Sequence, residues 1–252
     1  FDLFDTLVDF DPNRFPEVEI NGRPERTTSR AAYDALFAAG YSLPGYPAFP
    51  VLWMENTREV WGERDRDPAL REVSSRERFR RLAARLVPIP PREREPAAGV
   101  AREAHMKALI ASTDFNQANL GLLGRIRGAG LRAGLLSNFD DGDTVRALLA
   151  RTGLLPLLDP VLISEEAGYR KPSPRLFGLA AEGIGAAPAE ILFVGDNFAA
   201  DVLGARGAGM SSAWLNPKGA PVPEGSAPPD FELRRLEECL GALGLEEQRK
   251  AP

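Results

Sequence analysis

The chain has 252 residues, 44% of them hydrophobic and 27% charged, with a net charge of -5. That composition excludes a disordered chain, no apolar stretch reaches the roughly 20 residues needed to cross a bilayer, and the acidic balance argues against nucleic acid as a partner. Its single cysteine, Cys239, rules out an internal disulfide or a CxxC metal site and fits a reducing compartment, so a cytoplasmic protein with no membrane partner is expected.

The first segment, FDLFDTLVDF, alternates apolar Phe1, Leu3, Phe4, Leu7 and Val8 with Asp2, Asp5 and Thr6. This predicts a buried strand that ends in a polar turn. Residues 12–112 have another texture. Tyr33, Leu36 and Phe37, then Trp53, Thr57, Val60 and Trp61, then Phe79, Leu82 and Leu86 keep helical spacing. Ser74 with Glu77 forms a capping-box pattern, and Asn21-Gly22 within EVEINGRPE predicts a small hairpin. His105, the only histidine, falls on what reads as a polar helix and is expected to be an exposed bystander. The insert carries 17 basic against 14 acidic residues, leaving 14 against 22 elsewhere. A mildly basic lid over an acidic body suits an anionic substrate, although solvated arginine-rich helix faces give the same count.

From residue 113 onward, strand-like and helix-like segments alternate. Leu120, Leu123 and Ile126 are helical in spacing, LRAGLLSN is strand-like, TVRALLAR helical and VLIS a short strand. PRLFGLAAEGIG is helical, ILFVGDN a buried strand, DVLGARGAG helical and SSAWL a strand. NPKGAPVPEGSAPPD is a surface loop, and a last helix is expected around Leu233 to Leu243, with Cys239 packed on it. The alternation predicts an α/β fold, a Rossmann-like parallel sheet covered by helices, with residues 1–11 and 113–252 forming the core and residues 12–112 an inserted helical domain.

In such sheets ligands bind beyond the carboxyl ends of the strands. Four predicted strand ends carry polar groups there: Asp2 and Thr6; Ser137 and Asn138; Lys171, which follows the VLIS strand; and Asp196 and Asp201 in GDNFAAD. Carboxylates from separate strands can hold Mg²⁺, a hydroxyl and an ammonium can grip phosphate oxygens, and another carboxylate oxygen can attack phosphorus in line. Each residue also has a plainer reading. Ser137 fits a turn, Lys171 the approach to a helix beginning near Pro174, and Asp201 a helix N-cap.

The four segments, in this order, resemble the haloacid dehalogenase superfamily of hydrolases, with the helical insert where that family's first subclass carries its cap. The resemblance implies that Asp2 is the nucleophile, Thr6 supports the turn, Ser137 binds the transferred group, Lys171 neutralises charge, and Asp196 ligates Mg²⁺ with support from Asp201. Asn138 and Asn197 are adjacent candidates. Phosphatases of that family carry an aspartate two residues after the nucleophile as acid and base, and here that position is Phe4. The backbone carbonyl of Phe4 would still serve the metal, and Asp5 is the nearest candidate to replace the missing acid. Dehalogenating members have an aromatic residue there but lack the paired acids of GDNFAAD. The expectation is therefore a Mg²⁺-dependent phosphatase acting on a small phosphorylated metabolite, with a 2-haloacid dehalogenase or a weakly active ligand-binding relative as alternatives.

Overall fold

In a computed structural model the described residues are 1–245. They divide into two compact units, one made of Phe1–Asp9 and the chain from Phe115 onward, the other of Phe10–Asp114.

The first unit is a parallel α/β fold. The strand Leu135–Ser137 pairs in parallel with Val161–Ile163, and Leu192–Gly195 pairs with Ser211–Leu215, which in turn pairs with Phe231–Leu233. Residues 1–3 join these two sets. Leu136 N donates to Phe1 O and Asp2 N donates to Val194 O, each at 2.9 Å, so the segment bearing Asp2 runs between the two strands whose ends carry Ser137 and Asp196. Helices Ala118–Gly128, Gly142–Thr152 and Pro174–Ile184 form the connections. Leu136 and Phe193 pack with Leu176, Phe177 and Ala181 of the last of these and with Ala205 and Met210, which buries this face of the sheet. Burial of such side chains contributes about 1.5–3 kcal/mol each. Among the described residues, no helix is long and apolar enough to cross a membrane.

The second unit is four helices, Ser29–Ala38, Phe49–Arg66, Ser75–Arg85 and Arg94–Ile110, preceded by a hairpin. Its core is Leu36, Phe49, Trp53, Phe79, Leu82, Leu86 and Ile89 against the small residues Ala97, Ala98 and Ala101. The hairpin pairs Glu17–Ile20 with Arg23–Arg26, and its two turn residues, Asn21 (φ 52°) and Gly22 (φ 75°), both take the left-handed conformation that this turn needs. Ser74 caps its helix by accepting from Glu77 N at 3.2 Å, while the Glu77 carboxylate pairs with Arg80 and Arg81.

Two sequence expectations are corrected. His105 is not an exposed bystander. It is half-buried, with Nδ1 2.6 Å from Thr28 Oγ1, Nε2 3.2 Å from an Arg78 nitrogen, and its ring against Trp53 and Phe79. It continues the helix stripe of Ala98 and Ala101 by one turn, which puts it on the packed face despite polar neighbours. The expected helix over Leu233 to Leu243 is a strand, Phe231–Leu233, then a short 3₁₀ turn, Leu236–Glu238, and a helix of only four residues, Cys239–Ala242. Sheet pairing to Ser211–Leu215 outweighs the helical spacing of the leucines. Cys239 is buried, as expected of a packing residue, and burial pushes its thiol up to about 11.

Candidate active site

The site lies in the first unit, at the carboxyl ends of its parallel strands. After Leu3 the chain folds into a tight turn: Leu7 N and Val8 N both donate to Leu3 O, Asp5 N donates to Val8 O, and the Asn119 amide donates to Leu7 O at 2.9 Å. Asp5 sits in this turn with φ 56°, a conformation that aspartate tolerates better than most residues and glycine best of all. Its side chain is exposed. Phe4 is half-buried, its ring 5.1 Å from that of Phe139.

Lys171 is the centre of the site. Its side chain is 2% exposed, and Nζ donates to Asp2 Oδ1 at 2.6 Å and to Asp201 Oδ1 at 2.7 Å. Burial pulls the ammonium down, but the Asp2 and Asp201 carboxylates outweigh it and hold Lys171 above the usual lysine range. Two backbone hydrogen bonds aim this lysine. Lys171 N donates to Asn138 Oδ1 at 2.7 Å and Asn138 Nδ2 donates to Lys171 O at 3.0 Å. Both ends of the Asn138 amide are thus engaged with the main chain of residue 171.

Asp196 and Asp201 follow the strand Leu192–Gly195. Asn197, not Asp201, caps the following turn, its Oδ1 accepting from Ala200 N at 2.9 Å. The turn Phe198–Val202 is a π-helix, a rare form that recurs at functional sites, and the α-helix expected of DVLGARGAG is confined to Leu203–Gly207. Within the π turn Asp201 points back: Oδ2 accepts from Asn197 N at 2.9 Å while Oδ1 meets Lys171. Burial raises the Asp201 carboxyl, with Lys171 opposing and Asp2 adding to the rise. Burial likewise pushes Asp196 up to about 7, reinforced by the negative charges of Asp2, Asp201 and Asp5.

One oxygen from each of Asp2, Asp196 and Asp201 lies within 4.8 Å of the others. An all-oxygen donor set of this density, with one acid held toward its protonated form by burial and by the charges beside it, fits a hard divalent cation such as Mg²⁺. Two buried hydroxyls add to the case for a ligand. Thr6 Oγ1 and Ser137 Oγ are buried without a hydrogen-bond partner, and a buried polar group left so costs about 1–3 kcal/mol unless a ligand or water meets it. Sequence spacing had no means of finding Gly195 and Trp214: a Cβ on Gly195 would meet the Asp201 carboxylate, and the Trp214 indole donates to Asp196 O at 2.8 Å.

A family model described as haloacid dehalogenase-like hydrolase matches residues 1–209. The chain is 32% identical to the phosphoserine phosphatase of Thermus thermophilus over 255 residues, which cover 97% of this chain and 98% of that protein. Among solved structures, a 2-haloacid dehalogenase from Pseudomonas syringae pv. Tomato matches with a TM-score of 0.73 at 22% identity, over 96% of both chains. A HAD phosphatase from Thermococcus onnurineus matches with a TM-score of 0.63 at 22% identity, over 97% of this chain and 96% of that one. At that identity the two structures speak for the fold.

Proposed function

The chain belongs to the haloacid dehalogenase-like hydrolases, and from that membership we propose that it is a Mg²⁺-dependent phosphatase of small phosphomonoesters, working through an aspartyl-phosphate on Asp2. The observation that carries this reading is the convergence of the Asp2, Asp196 and Asp201 carboxylates within 4.8 Å, with Lys171 bridging two of them. In this reading the discontinuous unit is the catalytic core and the helical unit its cap. The lone buried cysteine is in keeping with work in the cytoplasm.

Asp2, Asp196 and the backbone carbonyl of Phe4 would hold Mg²⁺, with Asp201 in support. The ion would offset phosphate charge and steady the phosphoryl group for in-line attack. One oxygen of Asp2 is fixed by Lys171, which leaves the other to attack phosphorus. The bond from phosphorus to the ester oxygen breaks as the new one to Asp2 forms, and the leaving oxygen takes up a proton. Water then attacks phosphorus, releasing inorganic phosphate and restoring the Asp2 carboxylate. Ser137 and Thr6 offer their unpartnered hydroxyls to the phosphate oxygens, Lys171 adds positive charge, and Asn138 acts through the main chain of Lys171. Asp5, exposed in the turn, is the nearest candidate to give and take the proton.

Phe4 favours a second reading. A phenyl ring at this position cannot donate a proton, and halide needs none to leave, so displacement of chloride from a 2-haloacid by Asp2 is the alternative. Hydrolysis of an activated aryl phosphate and of O-phosphoserine, with and without Mg²⁺, separates the two. Metal-dependent phosphate release that Asp2→Asn abolishes supports the phosphatase, while metal-independent chloride release from 2-chloropropionate supports the dehalogenase. Silence in both assays leaves a ligand-binding role.

A further inference from the structure

The segment that supplies Asp196 and Asp201 to the site must hold two carboxylates toward a third. Like charges this close repel, so each carboxylate has to be held in place. Asp201 is held by two hydrogen bonds of its own, to Lys171 and to Asn197 N. Asp196 is held through its main chain. The indole nitrogen of Trp214 donates to Asp196 O at 2.8 Å, from a strand position directly opposite Gly195.

The same indole reaches further along the loop. Its ring packs edge-to-face on Phe198 at 5.0 Å and belongs to a buried cluster with Val202, against which Val222 leans. Phe198 and Val202 are the two ends of the π-helical turn. One side chain therefore grips the acidic loop at its first residue and at both ends of its turn. Phenylalanine would keep an aromatic ring against Phe198 but lacks the donor that the indole N–H supplies.

We infer that Trp214 is a positioning residue for the cation site, setting the main chain of Asp196 so that its carboxylate converges with those of Asp2 and Asp201. The inference rests on the Mg²⁺ reading of the site. Nothing in the residue's burial alone requires it, because a merely structural tryptophan would change stability and leave cation affinity untouched.

Titration of the metal-free chain with MgCl₂ by calorimetry tests it, together with the Mg²⁺-induced rise in melting temperature. Three variants are compared with the wild type: Trp214→Phe, Asp196→Asn, and Leu149→Val as a buried substitution on the helix Gly142–Thr152. Loss of one hydrogen bond predicts a Kd about five- to tenfold weaker in Trp214→Phe. Leu149→Val should lower the melting temperature of the metal-free protein yet keep the wild-type Kd, and Asp196→Asn should abolish binding. If Trp214→Phe melts lower but binds Mg²⁺ with the wild-type Kd, the positioning role is overturned while the metal reading survives. If the wild type itself binds no Mg²⁺, the metal reading fails and the inference fails with it.

Discussion

A methyl group on Gly195 would overlap Oδ2 of Asp201, well inside contact distance. The strand can therefore deliver Asp196 and receive the returning carboxylate of Asp201 only if position 195 has no side chain. Gly195→Ala should displace Asp201 from Lys171 and cut Mg²⁺ affinity and phosphatase activity together by at least about tenfold, equivalent to about 1.4 kcal/mol or more. Calorimetric titration alongside turnover of an aryl phosphate measures both. Wild-type values in both would mean that the turn accommodates the methyl group without moving Asp201.

Lys171 balances two carboxylates that are themselves almost fully withdrawn from water. Removing one partner from such a group costs about 3–5 kcal/mol, because a buried charge is left uncompensated. Lys171→Met should lower the unfolding free energy by that order, and Lys171→Met combined with Asp201→Asn should recover part of the loss. A double-mutant cycle by chemical denaturation reads the coupling. Simple additivity of the two losses would show that the ion pair is not the stabilising contact.

In the proposed Mg²⁺ site, protonation of Asp196 ties metal affinity to pH. Its carboxyl is pushed up to about 7 in the metal-free protein. Between the ordinary aspartate range near pH 4 and pH 7, the native state therefore binds a proton that the unfolded chain has lost. Stability of the metal-free protein falls as pH rises through that window. Mg²⁺ competes with that proton, so its affinity should rise about tenfold per pH unit below about 7 and level off above it. Calorimetry at several pH values checks this, and an affinity flat from about pH 5.5 to 7.5 would contradict it.

The unpartnered hydroxyls give a test that sets stability against binding. Thr6→Val and Ser137→Ala each remove a buried polar atom that has no partner. The ligand-free protein should be unchanged or up to about 1 kcal/mol more stable, while KM for the phosphate ester rises. Thermal melts and steady-state kinetics separate the two effects. A loss of stability with KM unmoved would assign the hydroxyls to the fold.

Much of this site can be read in the sequence because its parts sit at the ends of short apolar runs. Ser137 and Asp196 stand at the ends of continuous buried runs, and Asp2 is set among Phe1, Leu3 and Phe4 ahead of a polar turn, which marks each segment and its polar end. Long-range partners are another matter. That Asn138 serves the main chain of Lys171, or that Trp214 reaches Asp196, depends on which strands are neighbours, and sequence spacing carries no record of strand order. His105 and the strand Phe231–Leu233 failed for a related reason: local polarity and leucine spacing gave way to helix packing in one case and sheet pairing in the other. The π turn at Phe198–Val202 has no periodic signature at all.

In the proposed phosphatase, Phe4 sets which leaving groups the site can handle. Its ring is half-buried against Phe139, and no proton can pass through it. Without an acid at that position, proton delivery to the departing oxygen falls to Asp5 in the exposed turn, so an aryl phosphate, which needs that proton least, should be turned over faster than an alkyl phosphate. Phe4→Asp supplies a carboxyl two residues from Asp2 at the expense of one aromatic contact, a loss of about 1–2 kcal/mol in stability. General acid help is worth about 10²–10⁴-fold when the group is well placed. The variant should therefore raise kcat/KM for alkyl phosphates by up to that factor and barely change it for aryl phosphates, narrowing the gap between the two classes. Parallel kinetics on one aryl and one alkyl ester, for wild type and variant, provide the measurement. If the wild type already treats both classes alike, another group, with Asp5 the first to examine by Asp5→Asn, supplies the proton.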